Sequence, residues 1–211
     1  MNLILAFILL FTSAHSRSRF IGKADLKTGD VILVTLPCQI CSVIEAEEKA
    51  PFSHMGLVAR DQGEVFVLDA YDRVRRSPLH TFLDMTKKGS LPLVVRAKGA
   101  NGSAFEFQSK EFLERFSSRY EGLSYDSEFL WDNRDERGEK YYCSEFVAKF
   151  LNTYLPVTIQ PKPMHYQVER DLWIKYFKGT PPDGKPGISP ADFSRSPLFQ
   201  KVGTLDASTT N

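Results

Sequence analysis

Three cysteines, four histidines and the carboxylates near them are the first candidates for covalent chemistry in this 211-residue chain. Cys143 stands in Tyr141-Tyr142-Cys143-Ser144-Glu145-Phe146-Val147, where an apolar helical stripe of Phe146, Val147, Phe150, Leu151 and Tyr154 begins. A thiol in the first turn of a helix feels the positive end of the macrodipole and free backbone N–H groups. Both favour the thiolate, and the same N–H groups can bind an oxyanion during acyl transfer. The competing reading is an inert thiol packed on that stripe. A nucleophilic cysteine needs a base and a group that orients the base. His54, in Ser53-His54-Met55-Gly56-Leu57-Val58, and Asp69, in Val65-Phe66-Val67-Leu68-Asp69-Ala70, are the candidates. The alternative for these two is a hydrogen-bonded structural pair at strand ends. His15 lies in the N-terminal apolar segment, His80 on a short polar stretch and His165 in a proline-rich tail, so each is a weaker candidate.

Two elements must position these groups. Residues 53–60 and 65–71 read as strands joined at Gln62-Gly63, and a two-residue turn there sets Asp61 opposite Glu64, Gly56 opposite Asp69 and His54 opposite Tyr71. In that register His54 and Asp69 are diagonal neighbours on one face, roughly 7 to 8 Å apart at the backbone. A slip of one residue would place them on opposite faces. The helix carrying Cys143 is expected to end near Leu155, because Pro156 cannot continue it.

Around these elements, a turn at residues 24–30 leads into a buried strand over 31–36, and residues 38–49 form a short amphipathic helix. Ser77 is expected as N-cap of a helix over 78–85 with Pro78 at its first position. A strand follows over 91–97, a helix over 105–120, turn-rich sequence over 122–140 and a helical piece over 167–177. Residues 156–211 read as a proline-rich tail wrapping the domain, with an irregular return through ISPADFSRSPLF. Strands grouped before helices predict an α+β architecture, an antiparallel sheet or partial barrel packed against helices.

Composition is that of one globular domain, 42% hydrophobic and 25% charged, with a net charge of +1 and no basic cluster, which argues against a nucleic-acid partner. Residues 1–16, an apolar run followed by small residues, read as a secretory signal, leaving residues 17–211 as the mature, exported domain in the periplasm or outside the cell. The apolar run is shorter than the ~20 residues a membrane span needs. In an oxidising compartment three cysteines leave one over once Cys38 and Cys41 pair, and Cys143 is the remainder. CQIC after a strand also has the form of a thiol-disulfide redox motif. Cys38, Cys41, Cys143 and His54 have the ligand types of a zinc site but not the spacing of a compact module, so no metal or cofactor is expected.

TGDVILV, SHMGLV, VFVLDA and YYCSEFV, in this order, together with ISPADFSRSPLFQKV, resemble the circularly permuted papain-like cysteine hydrolases of the NlpC-type superfamily, YiiX-like branch, over residues 24–202. The resemblance implies a permuted papain-like fold with Cys143 as nucleophile at a helix N-terminus, His54 as base and Asp69 as orienting acid. Many relatives carry the longer Glu at the third position. It further implies hydrolysis of an amide or ester bond in a cell-wall peptide or an acyl lipid. Tyr141, Tyr142 and Ser53 are the expected substrate contacts. A binding module that kept the papain-like shell is the non-enzymatic alternative.

Overall fold

The computed structural model describes residues 19–206, so the expected signal segment lies outside them. Its centre is a seven-stranded sheet. The strands are β1 (Phe20–Ile21), β2 (Val31–Val34), β3 (His54–Asp61), β4 (Glu64–Ala70), β5 (Val74–Pro78) and β6 (Leu93–Ala97), with β11 (Phe199–Leu205) returning from the C-terminal region. Two short pairs, β7 (Arg134–Asp135) with β8 (Gly138–Glu139) and β9 (Lys162–Pro163) with β10 (Pro186–Gly187), stand apart from it. The order is β1-β11-β6-β2-β3-β4-β5; β1 runs parallel to β11 and every other neighbour is antiparallel. The helices are α1 (Gln39–Glu48), α2 (Leu79–Asp84), α3 (Ser109–Arg119), α4 (Cys143–Leu151), α5 (Arg170–Phe177) and α6 (Pro190–Arg195). This is the α+β architecture that the order of patterns predicts.

Both faces of the sheet are covered, which is why β2 reads as a continuous apolar run rather than an alternation. On one face Leu33, Met55, Leu57 and Leu68 pack against Phe112 and Phe116 of α3 and Phe146 and Phe150 of α4. On the other, Ile32, Val58 and Val67 pack against Leu79 and Phe82 of α2. A third cluster joins Val43 of α1 to Trp173 of α5 and Tyr166. The Thr28-Gly29-Asp30 turn is structural. Gly29 has a φ of 86° and a Cβ there would lie 2.1 Å from the Phe107 ring, so only glycine fits. Asp30 is buried and paired with Arg96 of β6 at 2.6 Å.

Several boundaries differ from the sequence expectation. Ser77 is not the N-cap of α2: it pairs with Val67 in the sheet, and Pro78 takes the cap position. The helix expected from residue 105 begins at Ser109, because the Phe105 N–H donates to the Ala97 carbonyl and Phe107 covers Gly29. Helix α4 ends at Leu151, earlier than Leu155, and α5 begins at Arg170. The tail is more than a wrapping. Ser189 and Asp192 form a capping box that starts α6, with Pro190 in the first turn. Beyond it, β11 enters the sheet between β1 and β6. Valine and leucine are sparse in β11, and its long-range partners β1 and β6 lie far away in sequence.

Candidate active site

The hairpin register is the one the two-residue turn predicts. Asp61 faces Glu64 and Leu57 faces Leu68. Gln62 and Gly63 adopt φ of 47° and 87°, the paired positive values of a type I′ turn. His54, the first residue of β3, and Asp69, near the end of β4, therefore share a face, and the His54 Nε2–H donates to Asp69 Oδ2 at 2.8 Å. The pair is nearly sealed from solvent, with side-chain exposures of 4% and 0%. The His54 ring rests between Phe82 and Tyr71 at centroid distances of 5.6 and 5.7 Å. These contacts and the Asp69 hydrogen bond hold the imidazole plane, leaving Nδ1 for a partner.

Asp69 uses its second oxygen as well. Arg75, directly opposite it in the β4–β5 register, donates from Nε to Oδ1 at 3.0 Å. The guanidinium lies over the Tyr71 ring at 4.8 Å and reaches Asp72 at 3.4 Å. A fully buried carboxylate needs such a partner. Sequence patterns alone leave residues 73–76 unassigned and do not mark Arg75; the available signal is an arginine-rich run directly after a strand holding an acid.

Cys143 is the first residue of α4, following Tyr142 at the N-cap, and no side chain caps this helix end. It belongs to the core on the α3–α4 face of the sheet. His54 alternates with Met55 and so points to the α2 face. The two meet at the start of β3, where the imidazole hydrogen-bonds with Cys143 and both line one cavity. Burial alone would hold the His54 imidazole down. The hydrogen bond to Asp69, then the hydrogen-bonding and charge interaction with Cys143, outweigh burial and push it up to about 9. An imidazolium beside a cysteine favours the thiolate.

Cys143 and His54 open into a cavity of about 420 Å³ whose wall also includes Ser53 and Tyr142. Ser53 is buried there and already engaged: its hydroxyl accepts from the Leu36 N–H at 3.0 Å and donates to Glu45 at 2.7 Å. The Tyr142 hydroxyl accepts from the Ile188 N–H at 3.0 Å. Tyr141 is not in this wall. It packs on Tyr120 and Phe146 and donates its hydroxyl to Glu139 at 2.7 Å. Further wall residues that the sequence does not mark come from the turn-rich segment, Tyr125 and Phe129, and from α5, Trp173 and Tyr176. Cys38 and Cys41 form a disulfide at the start of α1 and border the same cavity.

Glu145, also in the first turn of α4, is fully buried. Its Oε1 accepts from the Asp132 N–H at 3.0 Å and faces Lys149 Nζ at 2.9 Å, while Oε2 has no hydrogen-bond partner. Burial pushes this carboxyl up to about 7, against the lowering effect of Lys149.

Residues 25–203 match the family described as permuted papain-like amidase enzyme, YaeF/YiiX, C92 family. The chain is 28% identical over 162 residues to the uncharacterized protein YiiX of Escherichia coli (strain K12), an alignment covering 74% of this chain and 75% of that one. It also superposes on the crystal structure of metalloprotein yiiX from Escherichia coli O157:H7 with a TM-score of 0.71 and 21% identity, over 85% of this chain and 98% of that one. The chain therefore belongs to the permuted papain-like amidases of the YaeF/YiiX, C92 family, and is a cysteine hydrolase of that class.

Proposed function

We propose that the protein hydrolyses an amide or ester bond through a Cys143-His54-Asp69 triad, on a cell-wall peptide or an acyl lipid. The observation that carries this reading is the buried 2.8 Å hydrogen bond from His54 to Asp69, with the opposite edge of the imidazole turned to a thiol at a helix N-terminus. The Cys143 sulfur attacks the carbonyl carbon, and backbone N–H groups of the first turn of α4 receive the developing oxyanion. Protonated His54 gives its proton to the departing amine or alcohol, leaving a thioester. Neutral His54 then takes a proton from water, the hydroxide attacks the thioester, and the acid and the thiol are released. Asp69 accepts the Nε2–H throughout, which fixes the ring and stabilises its charged form.

The solved relative from Escherichia coli O157:H7 is called a metalloprotein. Among the described residues of this chain, Asp132, Glu139 and Glu145 are the group of acids close enough to share an ion. The Lys149 ammonium is already bonded to all three, so they do not fit a metal, and no step is drawn through one.

Export to the periplasm or beyond is part of this proposal. The signal-like residues 1–16 and a Cys38–Cys41 disulfide support it. Among the described residues no helix is long and apolar enough to cross a membrane. The deciding experiment is turnover of a panel of muropeptides and acyl amides by the purified protein and its Cys143→Ala, Cys38→Ser and Cys41→Ser variants. Hydrolysis lost with Cys143 alone supports the triad. Disulfide reductase turnover that needs Cys38 and Cys41 but not Cys143 would replace it with a redox role.

A further inference from the structure

The motif CQIC has no part in the triad, yet all three cysteines border one cavity. Cys38 and Cys41 are joined as a disulfide whose two sulfurs differ in access: Cys38 is exposed, whereas Cys41 is only 4% exposed. Cys38 is the N-cap of α1, its sulfur accepts from the Cys41 N–H at 3.1 Å, and the first turn of the helix holds no acid. The free N–H groups and positive dipole end of this turn favour any thiolate released there.

The bridge also holds one wall of the cavity. It closes the first turn of α1 directly after Pro37, and Ile40 and Ile44 of the same helix line the wall. Cys41 packs in one cluster with Leu36 and Phe82, and the Phe82 ring rests 5.6 Å from the His54 ring. One turn further on, Glu45 accepts from the Ser53 hydroxyl, which ties α1 to the residue before His54. Opening the bridge returns conformational freedom to the first turn. Beyond it, Val43 in the Trp173 cluster and Glu45 on Ser53 keep the rest of the helix in place.

We propose that Cys38–Cys41 is a thiol–disulfide exchange site, separate from Cys143, which an external dithiol opens and whose opening loosens the α1 wall of the cavity. One thiolate of the dithiol attacks the exposed Cys38 sulfur; the Cys38–Cys41 bond breaks and Cys41 leaves as a thiolate. The second thiolate of the dithiol attacks the dithiol-derived sulfur of this mixed disulfide, and Cys38 leaves in turn. The dithiol becomes a disulfide, losing two electrons and two protons, and the protein gains both as the Cys38 and Cys41 thiols. A monothiol stops at the mixed disulfide, where Cys41, three residues away at the same helix end, displaces it and restores the bridge.

The inference does not require Cys143 to be the nucleophile, so its test follows the bridge in the purified Cys143→Ala protein, which has no other thiol to exchange. Dithiothreitol or 2-mercaptoethanol is added near neutral pH, free thiols are trapped with N-ethylmaleimide, and the adducts are mapped by mass spectrometry. Dithiothreitol is expected to open the bridge in the folded protein within about ten-fold of its rate in the urea-unfolded chain, with the transient adduct on Cys38. At the same thiol concentration 2-mercaptoethanol should leave most of it closed. Opening about a hundred-fold slower in the folded protein, an adduct on Cys41, or equal opening by the monothiol overturns the exchange site. The second readout is hydrogen exchange of residues 40–43, expected to quicken about ten-fold once the bridge opens while α4 stays unchanged. The Cys38→Ser/Cys41→Ser double variant should match the opened protein without reductant. Unchanged exchange of residues 40–43 in the dithiothreitol-opened protein overturns the dependence of the wall on the bridge.

Discussion

Asp69 divides its two oxygens between His54 at 2.8 Å and Arg75 at 3.0 Å, so the group that orients the imidazole is itself held from the next strand. Asp69→Asn keeps the shape but loses the charge that favours imidazolium. We expect kcat/KM to fall by about 10² to 10⁴, as when the acid of a triad is neutralised. Arg75→Ala leaves a buried carboxylate short of its cation and is expected to cost about 3 to 5 kcal/mol in urea unfolding, with partial recovery in Arg75→Lys. An unchanged unfolding midpoint in Arg75→Ala would show that Asp69 does not depend on it.

Cys143 should report the state of His54 directly. With the imidazole pushed up to about 9, the charged ring is present from neutral pH until it is lost through that value. Alkylation of Cys143 by iodoacetamide, mapped by mass spectrometry, is expected to be fast between about pH 6 and 8, and His54→Gln to slow it at least ten-fold there. Hydrolysis should decline on the alkaline side near pH 9, as the proton donor for the leaving group disappears. Equal alkylation rates in the two proteins at pH 7 would remove His54 from the mechanism.

His54 and Glu145 make stability depend on pH. His54 is raised from 6.5 to about 9 on folding, so its contribution is full below pH 6.5 and is lost as the pH rises through 9. Glu145 is raised from 4.5 to about 7, so the folded state holds a proton more tightly and stability falls as pH rises through that interval. The urea midpoint should decline in both windows. His54→Asn is expected to flatten the upper one and Glu145→Gln the lower, and a slope that survives both substitutions belongs to other groups.

Gly56, across from Asp69, has no room for a side chain. A Cβ there would lie 2.4 Å from Val67 Cγ1 and 3.0 Å from the Leu68 carbonyl. Gly56→Ala should destabilise by about 1 to 3 kcal/mol through overpacking. Because it pushes β3 and β4 apart beside the His54–Asp69 hydrogen bond, kcat should fall more than KM rises. Unchanged thermal unfolding and kinetics would mean the hairpin yields without moving the pair.

Local patterns carry much of this protein's architecture. The alternation around Gln62-Gly63 is enough to place His54 and Asp69 on one face, because a two-residue turn leaves one register open and strand side chains alternate with period two. The apolar stripe after Tyr142 locates α4 and puts Cys143 in its first turn. The capping residues of α6, Ser189 and Asp192, are present in the sequence but hidden amid the prolines. Strand β11 has no comparable local signal: its pairing with β6 and β1 joins segments about a hundred residues or more apart.

What sequence alone determined, then, was each half of the site: a His-Asp pair from hairpin register and a thiol from helix phase. Tertiary structure decided that the halves meet. His54 faces α2 and Cys143 belongs to the opposite layer, and a sheet normally separates such layers. They converge at the first residue of β3, where the imidazole meets Cys143 at the start of α4. Arg75 behind Asp69, and the apolar walls contributed by α1 and α5, are likewise products of packing. Neither periodicity nor spacing encodes which distant surfaces will be pressed together.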